Sequence, residues 1–291
     1  MLSILTILAI GLILGSVLAS STGNNSLTFE KAKEAFENKD FQKAKELFES
    51  VVKTDSTSAV AFYFLGKINI FLGDSDAAIK FLEKAATLEN ENADYFYWFG
   101  NAIGSKVMKS SGSLQESLAL KAKENFSKAV KLDSKHVPAN SALINHLMQA
   151  PPSFGGNIDE ALKKAKSLIP IEEKMGRYFL AQVYERKDEV ENAESEYKIL
   201  ESKFGNLKDF YDFYNFYGYL LLAQKRFGEA IEKFQKQVKL APNKDYAFDS
   251  LGDGFLAAGK IEDAKVAFER ALELNPNSEV TKNKLKDLDK K

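Results

Sequence analysis

The sequence predicts an all-α protein, a right-handed α-solenoid of about seven helix pairs with a C-terminal capping helix. Three observations carry this reading. Gly218 and Gly252, Ala230 and Ala264, Phe234 and Phe268, and Pro242 and Pro276 each stand 34 residues apart, as do Ala44 and Ala78. Within each period apolar residues recur at i, i+3, i+4 and i+7 in two runs divided by a short turn, which is the pattern of two amphipathic helices. Pro242 and Pro276 follow the second run of the last two periods, where proline supplies no N–H and disfavours helix in the residue before it.

Taken in order, the chain begins with "MLSILTILAIGLILGSVLAS", which has no charged side chain and ends in Val17-Leu18-Ala19, a small-residue pattern suited to signal peptidase. The apolar stretch approaches the roughly 18 residues that span a bilayer, so a cleaved signal peptide and an uncleaved anchor both stay open. Export to the periplasm or cell envelope is the expectation, with membrane contact only through residues 2–19 if they are retained. Ser20 stands where a bacterial lipoprotein carries its cysteine, which excludes lipidation there. Residues 20–24 read as a polar linker. The solenoid then runs over 25–278 as Asn25–Ser58, Ala59–Asn92, Ala93–His136, Val137–Glu173, Lys174–Phe210, Tyr211–Lys244 and Asp245–Ser278. Residues 279–291 read as a polar capping helix and tail over the last repeat's exposed face. The third repeat carries about ten extra residues, and the fourth has "PPSFGG" (Pro151 to Gly156) where the others have a tight turn.

The glycines of "LGDGFLAAGK" (Leu251 to Lys260) invite a phosphate-loop reading, but no β-branched strand precedes them. As parts of a helix pair, Gly252 and Ala264 allow two helices to cross closely, and Gly259 suits a left-handed cap. Gly254 has no such role and costs about 1 kcal/mol relative to Ala within a helix.

With its large apolar residue, Leu-Gly, aromatic, Ala, Phe, Ala and Pro in this order, the period resembles the tetratricopeptide repeat. The "YFYWFG" helix (Tyr95 to Gly100), the long helix around Lys121 to Val130 and the "PPSFGG" turn resemble a group of exported bacterial tetratricopeptide proteins of unassigned function. A weaker similarity runs to the eukaryotic regulator-of-microtubule-dynamics proteins. The resemblance implies the fold and a ligand-binding concave face; it implies no activity.

Composition narrows the functions further. Lys+Arg 40 against Asp+Glu 41, with no basic run longer than two residues, gives no field to attract nucleic acid. Two histidines and no cysteine leave little material for a metal site, and no cofactor is expected. Tyr63 and Lys67 form a Y-x-x-x-K spacing that, without a Gly-rich strand–turn–helix, reads as one turn of helix. His146 reads as a residue of a polar helix face, and Trp98 as core. "FYDFYNFYGY" (Phe210 to Tyr219) raises the possibility of an aromatic surface.

The resemblance implies that partners meet the first helix (A) of each pair at repeat positions 2, 5, 9 and 12. Position 5 is Tyr63, Tyr97, Ser141, Tyr178, Asn215 and Asp249; position 9 is Lys67, Asn101, Asn145, Gln182, Tyr219 and Asp253. Amides match peptide donors and acceptors, and tyrosine supplies flat area with a polar tip. Asp249 and Asp253, one turn apart, could share a cation but read as solvated acids. Phe29, Lys33 and Phe64 replace residues of the carboxylate clamp found in chaperone-binding relatives. The expected function is a non-enzymatic protein- or peptide-binding scaffold of the cell envelope; the alternative is a solenoid binding glycan, such as peptidoglycan fragments.

Overall fold

The computed structural model describes residues 25–288. The leader, the linker and the last three residues lie outside that range, so the export reading does not meet the structure. Among the described residues every regular element is helical. Residues 25–37 form α1. They are followed by α2 (Phe41–Thr54), α3 (Ala59–Phe71), α4 (Ser75–Leu88), α5 (Ala93–Val107), α6 (Gly112–Leu132) and α7 (Val137–Gln149). A 3₁₀ turn at Pro152–Phe154 leads to α8 (Ile158–Leu168), α9 (Glu173–Arg186), α10 (Val190–Phe204) and α11 (Asp212–Ala223). The chain ends with α12 (Phe227–Leu240), α13 (Asp245–Ala257), α14 (Ile261–Leu274) and α15 (Glu279–Leu288). Each of the seven expected repeats is one helix pair, and α15 is the expected cap.

Packing divides the chain into two compact units, one through Gly156 and one from Asn157. The division falls inside the fourth pair, so α7 belongs to the first unit and α8 to the second. In the first unit each helix from α2 to α7 packs on the next, and A helices also touch A helices, α3 on α5 and α5 on α7. The second unit repeats the arrangement from α8 to α15, with α9 on α11 and α11 on α13. This neighbour-only packing is the solenoid architecture.

One contact recurs inside the pairs. A Cβ on Gly252 would collide with the ring of Phe268, one on Gly218 with Phe234, one on Gly100 with Phe126, and one on Gly66 with Leu82. The large side chain of the second helix (B) therefore lies directly on the backbone of helix A, and all four of these glycines are needed for that approach. Gly254 gains a role that its sequence context does not reveal: its Cβ would come 2.9 Å from Phe234 of the preceding repeat. Gly259 adopts φ 73°, as expected of the cap, and Lys225 takes φ 60° at the same place one repeat earlier. Asp40 and Asp74 cap α2 and α4 by accepting from Lys43 N and Ala77 N.

The extra residues of the third repeat go mainly into its B helix. Phe268, Phe234 and Leu82 each lie seven residues after the first residue of their helix (Ile261, Phe227 and Ser75), whereas Phe126 lies fourteen after Gly112. Seven added residues are close to two turns, so α6 gains length without rotating Phe126 away from Gly100. The part of α6 that follows the added turns seats the irregular link of the fourth repeat. At Gly155 (φ 87°) a Cβ would lie 3.0 Å from Lys123 Cδ and 3.2 Å from Leu120 Cδ2, and His146 Nε2 donates to Phe154 O at 2.9 Å. The link therefore packs on the part of α6 that the other B helices also have. His146 belongs to this packing, which corrects its reading as a residue of a polar face: it is half-buried, and burial lowers its pKa.

Candidate functional site

In the first unit the predicted positions fall on α3, α5 and α7. Tyr97, Asn101, Ser141 and Asn145 line one open groove of about 490 Å³, floored in part by Phe126 and Pro138. Asn101 Nδ2 donates to Tyr97 O at 2.9 Å, which ties the amide to its own helix. Asn145 is exposed. The sequence register brings these four together as expected.

On α3, Lys67 Nζ donates to Tyr63 OH at 3.2 Å. Its ammonium also lies 4.6 Å from the ring centre of Trp98, 4.9 Å from Tyr63, 5.2 Å from Phe36 and 5.8 Å from Phe64. These are cation–π distances. Burial lowers the Lys67 pKa and raises that of Tyr63, each group losing stabilisation of its charged form. Trp98, expected in the core, is half-buried and faces this lysine. Phe36 and Trp98 were not among the predicted site residues; Phe36 occupies position 12 of the first repeat, an expected inner-face position, and Trp98 adjoins position 5 of the third.

The second unit uses the same positions differently. Gln182 on α9 is only 9% exposed and bonds to the Tyr178 hydroxyl, whose pKa burial pushes up to about 12. On α11, Asn215 Oδ1 accepts from Ser250 Oγ at 2.7 Å, and Tyr219 OH donates to Asp253 Oδ2 at 2.8 Å. On α13, Asp249 accepts from Thr281 Oγ1 at 2.8 Å and from Lys284 Nζ at 2.6 Å, both on α15. Lys284 also reaches Asp253 at 2.8 Å. Burial opposes its charge, yet the bonds to Asp249 and Asp253 raise its pKa. The two aspartates do share a cation, but it is the chain's own lysine, which corrects their reading as solvated acids. The aromatic run also turns inward: Phe210, Phe213, Tyr214 and Tyr217 are buried, and only Phe216 and Tyr219 are exposed among its large side chains.

Three family models match the chain, all described as tetratricopeptide repeat, over residues 35–97, 178–245 and 249–278. No curated protein matches. Among solved structures, a tetratricopeptide repeat protein from Parabacteroides merdae is 16% identical with a TM-score of 0.70, covering 91% of this chain and 98% of its own. The C-terminal part of a TPR repeat-containing protein from Cytophaga hutchinsonii is 20% identical with a TM-score of 0.57, covering 88% of this chain and 98% of its own. The Cut9–Hcn1 hetero-tetramer of the APC/C offers a chain 16% identical with a TM-score of 0.62, covering 88% of this chain and 48% of its own. At these identities the likeness is one of fold.

Proposed function

Because the chain belongs to the tetratricopeptide-repeat family, whose domains generally bind proteins or peptides, we propose that it is a non-enzymatic protein- or peptide-binding scaffold of the cell envelope. We place the ligand on the A-helix face of the first unit. The observation that carries this is the groove in which Tyr97, Asn101, Ser141 and Asn145 converge. Amide and hydroxyl groups there can exchange hydrogen bonds with an extended backbone, and the Tyr97 ring gives that backbone a flat apolar wall. The reading as a scaffold rather than an enzyme draws on the generally non-catalytic role of these repeats. The Tyr63–Lys67 pair supports it, being packed among aromatic rings. The envelope assignment draws on the uncharged leader and its Val17-Leu18-Ala19 ending.

The test begins with capture of partners from an envelope fraction, followed by calorimetric titration of the captured partner. Asn101→Ala and Asn145→Ala should each weaken binding by about 0.5–1.5 kcal/mol, roughly 2- to 10-fold, with helicity retained. Lys84→Ala, exposed on the B helix α4, should leave binding unchanged. Equal affinities for all three variants would remove the ligand from this groove. Release of the partner by free peptidoglycan fragments would favour the glycan reading instead.

A further inference from the structure

The neighbourhood of Lys67 carries more information than the amide groove alone. An ammonium has three donors, and within the described structure Lys67 gives one to Tyr63 OH. Four aromatic rings lie within 5.8 Å of it. Attraction to ring faces steadies a cation without neutralising it. Asp94 is the carboxylate whose field reaches Lys67. Its Oδ1 lies 3.1 Å from His136 Nε2, so it is engaged on its own helix end. Lys33, exposed on α1, stands 34 residues before Lys67 at the same repeat position and adds positive charge to this face.

An apolar surface borders the ammonium. Phe36 packs at 6.1 Å from Phe71, Phe71 stacks on Phe41 at 4.7 Å, and Phe71 meets Trp98 edge-on at 6.3 Å between ring centres. Phe71 remains 50% exposed and the adjoining Leu72 44%. A half-buried cation beside exposed rings is complementary to an anion carried next to an apolar group.

We propose that the A-helix face of the first unit recognises an extended segment carrying an internal acidic side chain next to an aromatic or large aliphatic one. The carboxylate sits on Lys67, the apolar side chain on Phe71 and Trp98, and the backbone beyond them on Asn101 and Asn145. This rests on the peptide-binding reading above and names the chemistry of its partner. It also sets a spacing. Packed helices lie about 8–10 Å apart, and an extended chain advances about 3.3 Å per residue. The amides met by Asn101 and Asn145 therefore lie about three and about six residues from the acidic one.

The test uses the full chain and synthetic nonapeptides, acetylated and amidated at their ends and built on Gly and Ala. Each carries Glu-Phe, Gln-Phe or Lys-Phe near one end, and binding is read by fluorescence anisotropy. The Glu-Phe peptide should bind about 5- to 10-fold better than Gln-Phe, the scale of a partly exposed charge-assisted bond. The margin should shrink as salt rises. Lys67→Met should erase the margin while residual binding keeps its dependence on Asn145; Lys67→Arg should preserve the margin. Asn145→Ala should weaken the Glu and Gln peptides equally. Should Lys67→Met not fold, the wild-type Glu/Gln margin, its salt dependence and Lys67→Arg still decide. Equal binding of Glu-Phe and Gln-Phe, or a margin that survives Lys67→Met, would overturn the inference and leave peptide binding intact. Failure of every peptide to bind would overturn the peptide-binding reading and this inference with it.

Discussion

The A-helix faces of the two units carry similar side chains and use them in opposite ways. In the first unit Asn145 is exposed, Asn101 lines a groove, and Lys67 is held by rings and a phenol rather than by a carboxylate. In the second, Gln182 serves Tyr178, Asn215 serves Ser250, and Asp249 and Asp253 serve Lys284. Repeat position thus fixes which way a side chain points but not whether its bonds are already made. A free face can bind; a satisfied one must first be opened.

The largest test of this contrast is Phe268→Ala. Phe268 is fully buried against Gly252 and clusters with Leu285 and Leu288 of α15. Its truncation should cost roughly 3–5 kcal/mol, and hydrogen exchange should show α13 to α15 opening first. Uniform loosening across the second unit would mean that its closure does not rest on this packing.

Lys284→Met acts on the polar side of the same closure. The lysine is 25% exposed and its partners Asp249 and Asp253 are 20% and 23% exposed. That places the loss between surface and buried pairs, about 1–3 kcal/mol, visible as faster amide exchange in α15. Unchanged exchange there would show that the aspartates are held by something other than the cap.

The amides themselves give a direct comparison. Asn215→Ala deprives Ser250 of its acceptor and should cost about 1 kcal/mol of stability. Asn145→Ala should stay within about 0.5 kcal/mol. Equal costs in denaturant titrations would erase the distinction between satisfied and free positions.

Acid should separate the units with the smallest effect. Burial holds the His146 pKa below its ordinary 6.5, so the unfolded chain binds the proton first. The stability this group contributes is present above the unfolded value and is lost as pH falls through the folded one. In the second unit the hydrogen bond from Arg226 holds the Glu194 pKa down at about 2. Its contribution, present above the ordinary carboxylate value near 4.5, is lost only as pH falls toward about 2. Exchange at the Pro152–Phe154 turn should therefore quicken in mild acid, before α10 and α12 respond. The reverse order would sink the assignment.

These contrasts mark how far the sequence reaches. Repeat bounds were legible because a 34-residue period forces helix starts to recur: α3, α5, α7 and α13 begin at the expected residues. The close crossing at Gly252 was legible as well, but the sequence paired it with Ala264, whereas the ring that fills it is Phe268 of the same period. The role of Gly254 was not legible, because the ring it must clear, Phe234, belongs to the preceding period. The open groove followed from register alone. The ring of aromatics around Lys67 and the bond from Lys284 to Asp249 did not. They join residues 31 and 35 positions apart whose meeting depends on side-chain reach, which no periodicity encodes.

The long α6 has a consequence for how such chains change length. A seven-residue insertion turns the helix by nearly two whole revolutions and returns Phe126 to Gly100. Inserting two residues instead would swing that ring most of the way to the opposite side of the helix. Indels before Phe126 are therefore quantised in whole turns: about four or seven residues keep the ring near its place, and two or five do not. Leu120 and Lys123, beneath Gly155, follow the two extra turns, so shortening α6 to the ordinary length should leave the seat of "PPSFGG" in place. The two segments should therefore be gained and lost independently.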